Sequence, residues 1–144
     1  MLTPVSLTRP RLTPRGRSPQ FVLPVPKGAP GSGGFVTFVL QWQLPHLLFT
    51  LLEEYQRAHT RAQPHLVVTH YPELAAAKGL VFVRGEVPSA ELSLPEARAL
   101  LQHAHAFFGE PDKQRAVAAF NRGAPEFSFA RVLATCGVAP PPQR

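Results

Sequence analysis

The sequence predicts an α+β domain: a mixed, mainly antiparallel β-sheet covered by helices, with a helical C-terminal part. Three stretches carry that reading. Phe35 to Trp42, FVTFVLQW, is aromatic and β-branched with few helix formers. His65 to Glu86 packs an apolar β-branched run, a short helix with its stop, and a second apolar run into one continuous segment. From Ser93 to Gly109 the apolar residues switch to spacings of three and four, the period of a helix with one buried face.

Met1 to Gln20 carries four arginines, four prolines and no acid, the composition of an organelle transit peptide or a flexible basic arm, and is expected as an unpacked tail. Phe21 to Val25 reads as a short strand, and Pro24 assigns it to a sheet edge, where a missing backbone donor is tolerated. Lys27 to Gly34, KGAPGSGG, is a loop. Its glycines do not make a phosphate cradle, because the Walker pattern ends in Gly-Lys-Ser/Thr and opens a helix, whereas here the lysine comes first and a strand follows.

Phe35 to Trp42 is expected to lie centrally. Gln43, Leu44 and Pro45 reverse the chain, and His46 to Phe49 returns antiparallel beside it. Thr50 with Glu53 fits a capping box that opens a helix, with Leu51, Leu52 and Tyr55 on its buried side and Glu53, Glu54 and Arg57 in water, ended by Pro64.

Leu66, Val67 and Val68 start the next strand. Pro72 suits the first turn of a short helix and Gly79 the left-handed position past Lys78. Leu80 to Val83 runs without polar interruption, as a strand covered on both faces would. After the polar connector Val87 to Leu92, Ser93 with Glu96 repeats the capping box. Leu94, Ala97, Leu101, Ala104 and Phe108 then form a stripe that Leu100 and Phe107 widen. A second helix starts at Pro111, buries Val117 and Phe120 and stops at Asn121 to Gly123; a third starts near Ser128 and buries Phe129, Val132, Leu133 and Cys136 before Gly137. Ala139 to Arg144 is expected as a disordered tail, which leaves residues 21–138 as a single domain.

The formal charge of +6 invites a nucleic-acid reading, but up to Leu52 there are five basic residues and no acid, while beyond it ten basic residues face nine acids. The basicity belongs to the first segment, and the body has no electrostatic footprint for DNA or RNA. One cysteine, Cys136, cannot form an internal disulfide; at helical spacing among apolar neighbours it reads as a buried, inert thiol. No apolar run approaches the ~18 residues of a membrane span.

Nor do the histidines converge by spacing. His103 and His105 point about 160° to 200° apart on a helix, His65 and His70 stand at opposite ends and faces of a strand, and no CxxC or HExxH pattern completes a metal site. The G-x-S-x-G elbow is absent. These residues call for no enzyme, cofactor or metal.

Order and spacing go further than composition. LQWQLPHLLFTLLEEYQ, then PHLVVTHYPELAAAKGLVFVRGE, then SLPEARALLQHAHAFF resembles the body of the mitochondrial ATP synthase assembly factor family from about Phe21 to about Val138. The most specific pieces are Leu48-Phe49-Thr50, Glu54-Tyr55, His70-Tyr71-x-Glu73-Leu74, Lys78-Gly79 and Arg84-Gly85-Glu86. The resemblance implies a monomeric chaperone of the mitochondrial matrix that holds the unassembled catalytic β subunit until the α subunit takes its place, and no catalysis. Family members usually carry a targeting segment and a helical region ahead of the sheet; about twenty residues precede the first strand here, and the loop from Gly28 to Gly34 reads as a surface insertion. The motif residues least explained by core packing, His70, Tyr71, Glu73, Lys78, Arg84 and Glu86, are the expected partner contacts. A generic interaction domain with another client is the alternative.

Overall fold

The computed structural model describes residues 2–6, 20–28, 33–43 and 45–139; the tail expectations for residues 7–19 and 140–144 fall outside them. Six strands form one sheet: β1 (Leu2–Ser6), β2 (Gln20–Pro26), β3 (Phe35–Gln43), β4 (His46–Leu51), β5 (Leu66–Tyr71) and β6 (Leu80–Glu86). Their order is β1-β6-β5-β4-β3-β2 and all the pairings are antiparallel, so the described sheet is wholly rather than mainly so. The helices are α1 (Leu52–Ala58), α2 (Ala75–Lys78), α3 (Leu94–Gly109), α4 (Pro111–Arg122) and α5 (Phe129–Thr135), with 3-10 turns at His59–Arg61 and Pro72–Leu74. The α+β class and the helical C-terminal part stand as read.

Alternation decides which face is buried. Phe21, Leu23 and Val25 of β2, Phe38, Leu40 and Trp42 of β3, Leu47 and Phe49 of β4, and Leu66 and Val68 of β5 share one core with Ala97, Leu100, Leu101, Ala104, Phe107 and Phe108 of α3. Ser93 caps α3 as expected: its hydroxyl accepts from the Glu96 amide while the Glu96 carboxylate accepts from the Ser93 amide. Gly79 and Gly123 take positive φ of 64° at their helix ends.

Several details depart from the sequence reading, among them Phe120, Phe129 and Cys136, expected to be buried and found half-buried. Leu2–Ser6, expected in an unpacked tail, pairs with β6, whose outer edge would otherwise lack a partner. β3 is not central but second from the edge, because β2 adds outside it. Thr50 does not cap α1; it pairs with Val39 inside β4 and is buried, and Leu51 at the N-cap makes no side-chain bond. Leu94, assigned to the buried stripe, is 63% exposed, since that stripe meets the sheet only from Ala97 onward.

The edge strand is closed off by a side chain. The Asn121 carboxamide of α4 accepts from the Gln20 amide at 2.9 Å and donates to the Gln20 carbonyl at 2.7 Å, as a neighbouring strand would. Both backbone groups of Gln20 thus point off the sheet, and by alternation so do those of Val22, Pro24 and Pro26. The two prolines have no N–H to offer there.

Candidate functional site

The helices do not cover both faces of the sheet equally. α3, α4 and α5 pack on one face; on the other, α1 lies over β3 and β4, its Tyr55 hydroxyl reaching Gln20 at 3.3 Å, and there Val22, Val39 and Thr50 are buried. Toward β5 and β6 that second face opens. Val67, Thr69 and Tyr71 alternate on β5 with Leu80 and Phe82 on β6, all half-buried, while Arg84 and Glu86 are exposed. The register sets Tyr71 opposite Phe82, Thr69 opposite Arg84 and Val67 opposite Glu86, so an apolar strip ends in a charged rim. The uninterrupted run Leu80–Val83 therefore buries only Val81 and Val83; its other two members belong to this open side, a correction to the expectation of cover on both faces.

Three of the six expected contact residues meet here. Tyr71, Arg84 and Glu86 share the open face, and Arg84 donates to the Glu86 carboxylate at 3.0 Å. With both partners more than half exposed this pair adds little to stability, but it holds the guanidinium over the sheet. Glu73 and Lys78 are exposed on the turn-and-helix segment joining β5 to β6. His70 lies elsewhere: it points to the helical side, is 7% exposed, and stacks near Trp42 with ring centroids 5.1 Å apart.

His70 meets a residue that spacing arguments did not connect to it. Its Nε2 lies 3.1 Å from Nε2 of His105 on α3, so one imidazole donates to the other's lone pair. Burial lowers the pKa of both; His105, with His70 adding repulsion, falls from 6.5 to about 4, while the Pro45 hydrogen bond only partly offsets the burial of His70. The unfolded chain binds a proton at His105 near pH 6.5 and the folded chain does not until about pH 4, so this contribution to stability is complete above pH 6.5 and is lost as pH falls toward 4. Urea midpoints at pH 7 and pH 4.5 are expected to show a larger acid loss in the native chain than in His105→Gln, by on the order of 2 kcal/mol.

Other groupings lie away from this face. A cleft of about 360 Å³ between α3, α4 and α5 is lined by Lys113, Arg115, Arg131, Asp112 and Glu126, charges of both signs, and its Ser128 hydroxyl accepts from the Arg131 amide at the start of α5. Cys136, expected to be buried, is half-buried, and that burial pushes its thiol up to about 11. Elsewhere, Glu54, His65 and Glu91 converge from three separate segments, a grouping that sequence spacing did not reveal. Among the described residues no helix is long and apolar enough to cross a membrane.

A family model described as "ATP11 protein" matches residues 12–133. The chain is 32% identical over 118 residues to "Protein atp11, mitochondrial" of Schizosaccharomyces pombe, a match covering 74% of this chain and 40% of that protein. It is 33% identical over 107 residues to "ATP synthase mitochondrial F1 complex assembly factor 1" of both Homo sapiens and Mus musculus, covering 73% of this chain and 33% of each relative. The matched region thus spans between a third and two fifths of the length of these relatives.

Proposed function

The chain belongs to the ATP11 protein family, and from that premise we propose that it is an assembly chaperone of the mitochondrial ATP synthase. In the mitochondrial matrix it holds the unassembled catalytic β subunit through the open half of its sheet and gives it up when the α subunit takes its place. The observation that carries this reading is the open face itself: Tyr71, Phe82 and Leu80 form an apolar patch that runs through Thr69 and Val67 to Arg84 and Glu86 at its charged end, on a domain whose core is otherwise closed by helices. Aromatic and arginine side chains in such a setting are the usual anchors of a protein interface. The mammalian relatives' name, F1 complex assembly factor 1, and the fungal relative's mitochondrial label support the broader part of this reading.

Release needs no nucleotide chemistry in this chain. A contact of about 1,600 Å² total, part apolar and part polar, shields a sticky surface yet remains exchangeable, and a subunit that binds the same surface better displaces it by mass action. The test is capture from mitochondrial matrix extract by the tagged chain, with and without excess α subunit. The β subunit is expected to be enriched and then lost on adding α; repeated capture without any synthase polypeptide overturns the reading and favours a domain serving another client.

A further inference from the structure

We propose that Glu54 of α1, His65 just ahead of β5 and Glu91 in the connector before α3 form a binding site for a divalent cation of the zinc class. One ligand atom from each residue lies within 4.8 Å of the others. The His65 Nε2 faces both carboxylates, at 3.3 Å from Glu91 and 3.6 Å from Glu54. Those separations are long for a charge-assisted N–H···O bond, which closes to about 2.7–2.9 Å. They match a coordination edge: donors held about 2.1 Å from a tetrahedral zinc stand roughly 3.4 Å apart.

The imidazole is itself the second observation. His65 is 5% exposed, edge-on to the Phe38 ring at 5.8 Å, and its Nδ1 has no hydrogen-bond partner. It is a buried polar ring whose Nε2 is aimed between two carboxylates at separations that leave neither bond short, while its Nδ1 is left orphaned on the other side. The two carboxylates bring two negative charges, which a dication neutralises. Lys27 Nζ is held at 2.8 Å by the Glu96 carboxylate and donates to the backbone carbonyl of Glu91. One nitrogen with two oxygens suits zinc or nickel better than magnesium or calcium, which take oxygen throughout. Three protein ligands leave a position for water, and the bound ion ties the connector ahead of α3 to α1.

The full 144-residue chain, stripped with a chelator, is titrated with Zn²⁺ by calorimetry and thermal unfolding, and with Co²⁺ by visible absorption. One zinc per chain is expected, with micromolar affinity, a midpoint rise of about 5 °C at saturation and tetrahedral cobalt bands. Glu91 is well exposed and Glu54 partly so, so E91Q and E54Q/E91Q fold; the single variant is expected to weaken binding at least about tenfold and the double to abolish it. His59→Gln, at an exposed ring, is expected to change nothing. Absence of saturable binding, or binding kept by E54Q/E91Q, overturns the proposal; the latter assigns the zinc to other histidines.

Discussion

Phe21→Ala is expected to lower the unfolding free energy by about 4 kcal/mol, the upper part of the range for truncating a buried aromatic ring. Phe21 is fully buried where the edge strand meets the helical layer. Its ring lies 4.9 Å from Phe107, 5.7 Å from Phe120, 6.1 Å from Phe127 and 6.4 Å from Phe108, three of the four as edge contacts. Removing it strips transfer energy from one residue and aromatic partners from four, on two helices and the approach to α5, while the Asn121 bonds to Gln20 hold α4 against closing the gap. A domain of this kind holds about 5–15 kcal/mol in all, so urea unfolding should show the midpoint fall by a large fraction. Phe35→Ala, at a half-buried ring touching Phe129, serves as the mild comparison. A loss at Phe21 of under about 1 kcal/mol would show that this cluster is not where the two layers are joined.

The second large effect is on binding rather than folding. Tyr71→Ala with Arg84→Glu removes an aromatic anchor and reverses a rim charge on the open face. At about 2 kcal/mol each, the pair is expected to weaken capture of the β subunit roughly a thousandfold. Stability should move little: Arg84 is exposed and loses only a surface ion pair with Glu86, and Tyr71 is half-buried with its inner face already satisfied by Phe82. Arg115→Glu, in the cleft among the helices, is the control. Loss of capture in Arg115→Glu, with the Tyr71 and Arg84 variant still binding, would move the client to the opposite side of the molecule.

What could be read from the chain depended on whether the deciding interaction was local. Pro24 marks an edge because a proline lacks the donor that a central strand needs, and Ser93 with Glu96 marks a helix start because both bonds close within one turn. Thr50 with Glu53 has the same spacing and means something else, since the ladder to Val39 claims Thr50 before a helix can. The open face was half legible. Tyr71, Arg84 and Glu86 lie on it, yet Leu80–Val83 looks the same whether a second layer covers it or not, and only the reach of α1 decides. His70 was beyond local reading, because its partner His105 arrives from α3, 35 residues away.

An edge strand with outward-facing backbone groups has to resist pairing with copies of itself. The carboxamide of Asn121 fills the pairing place at Gln20, and Pro24 and Pro26 have no donor to offer beyond Val22, so a second copy finds no continuous ladder along β2. Edge-to-edge growth from the β2 side is thereby discouraged.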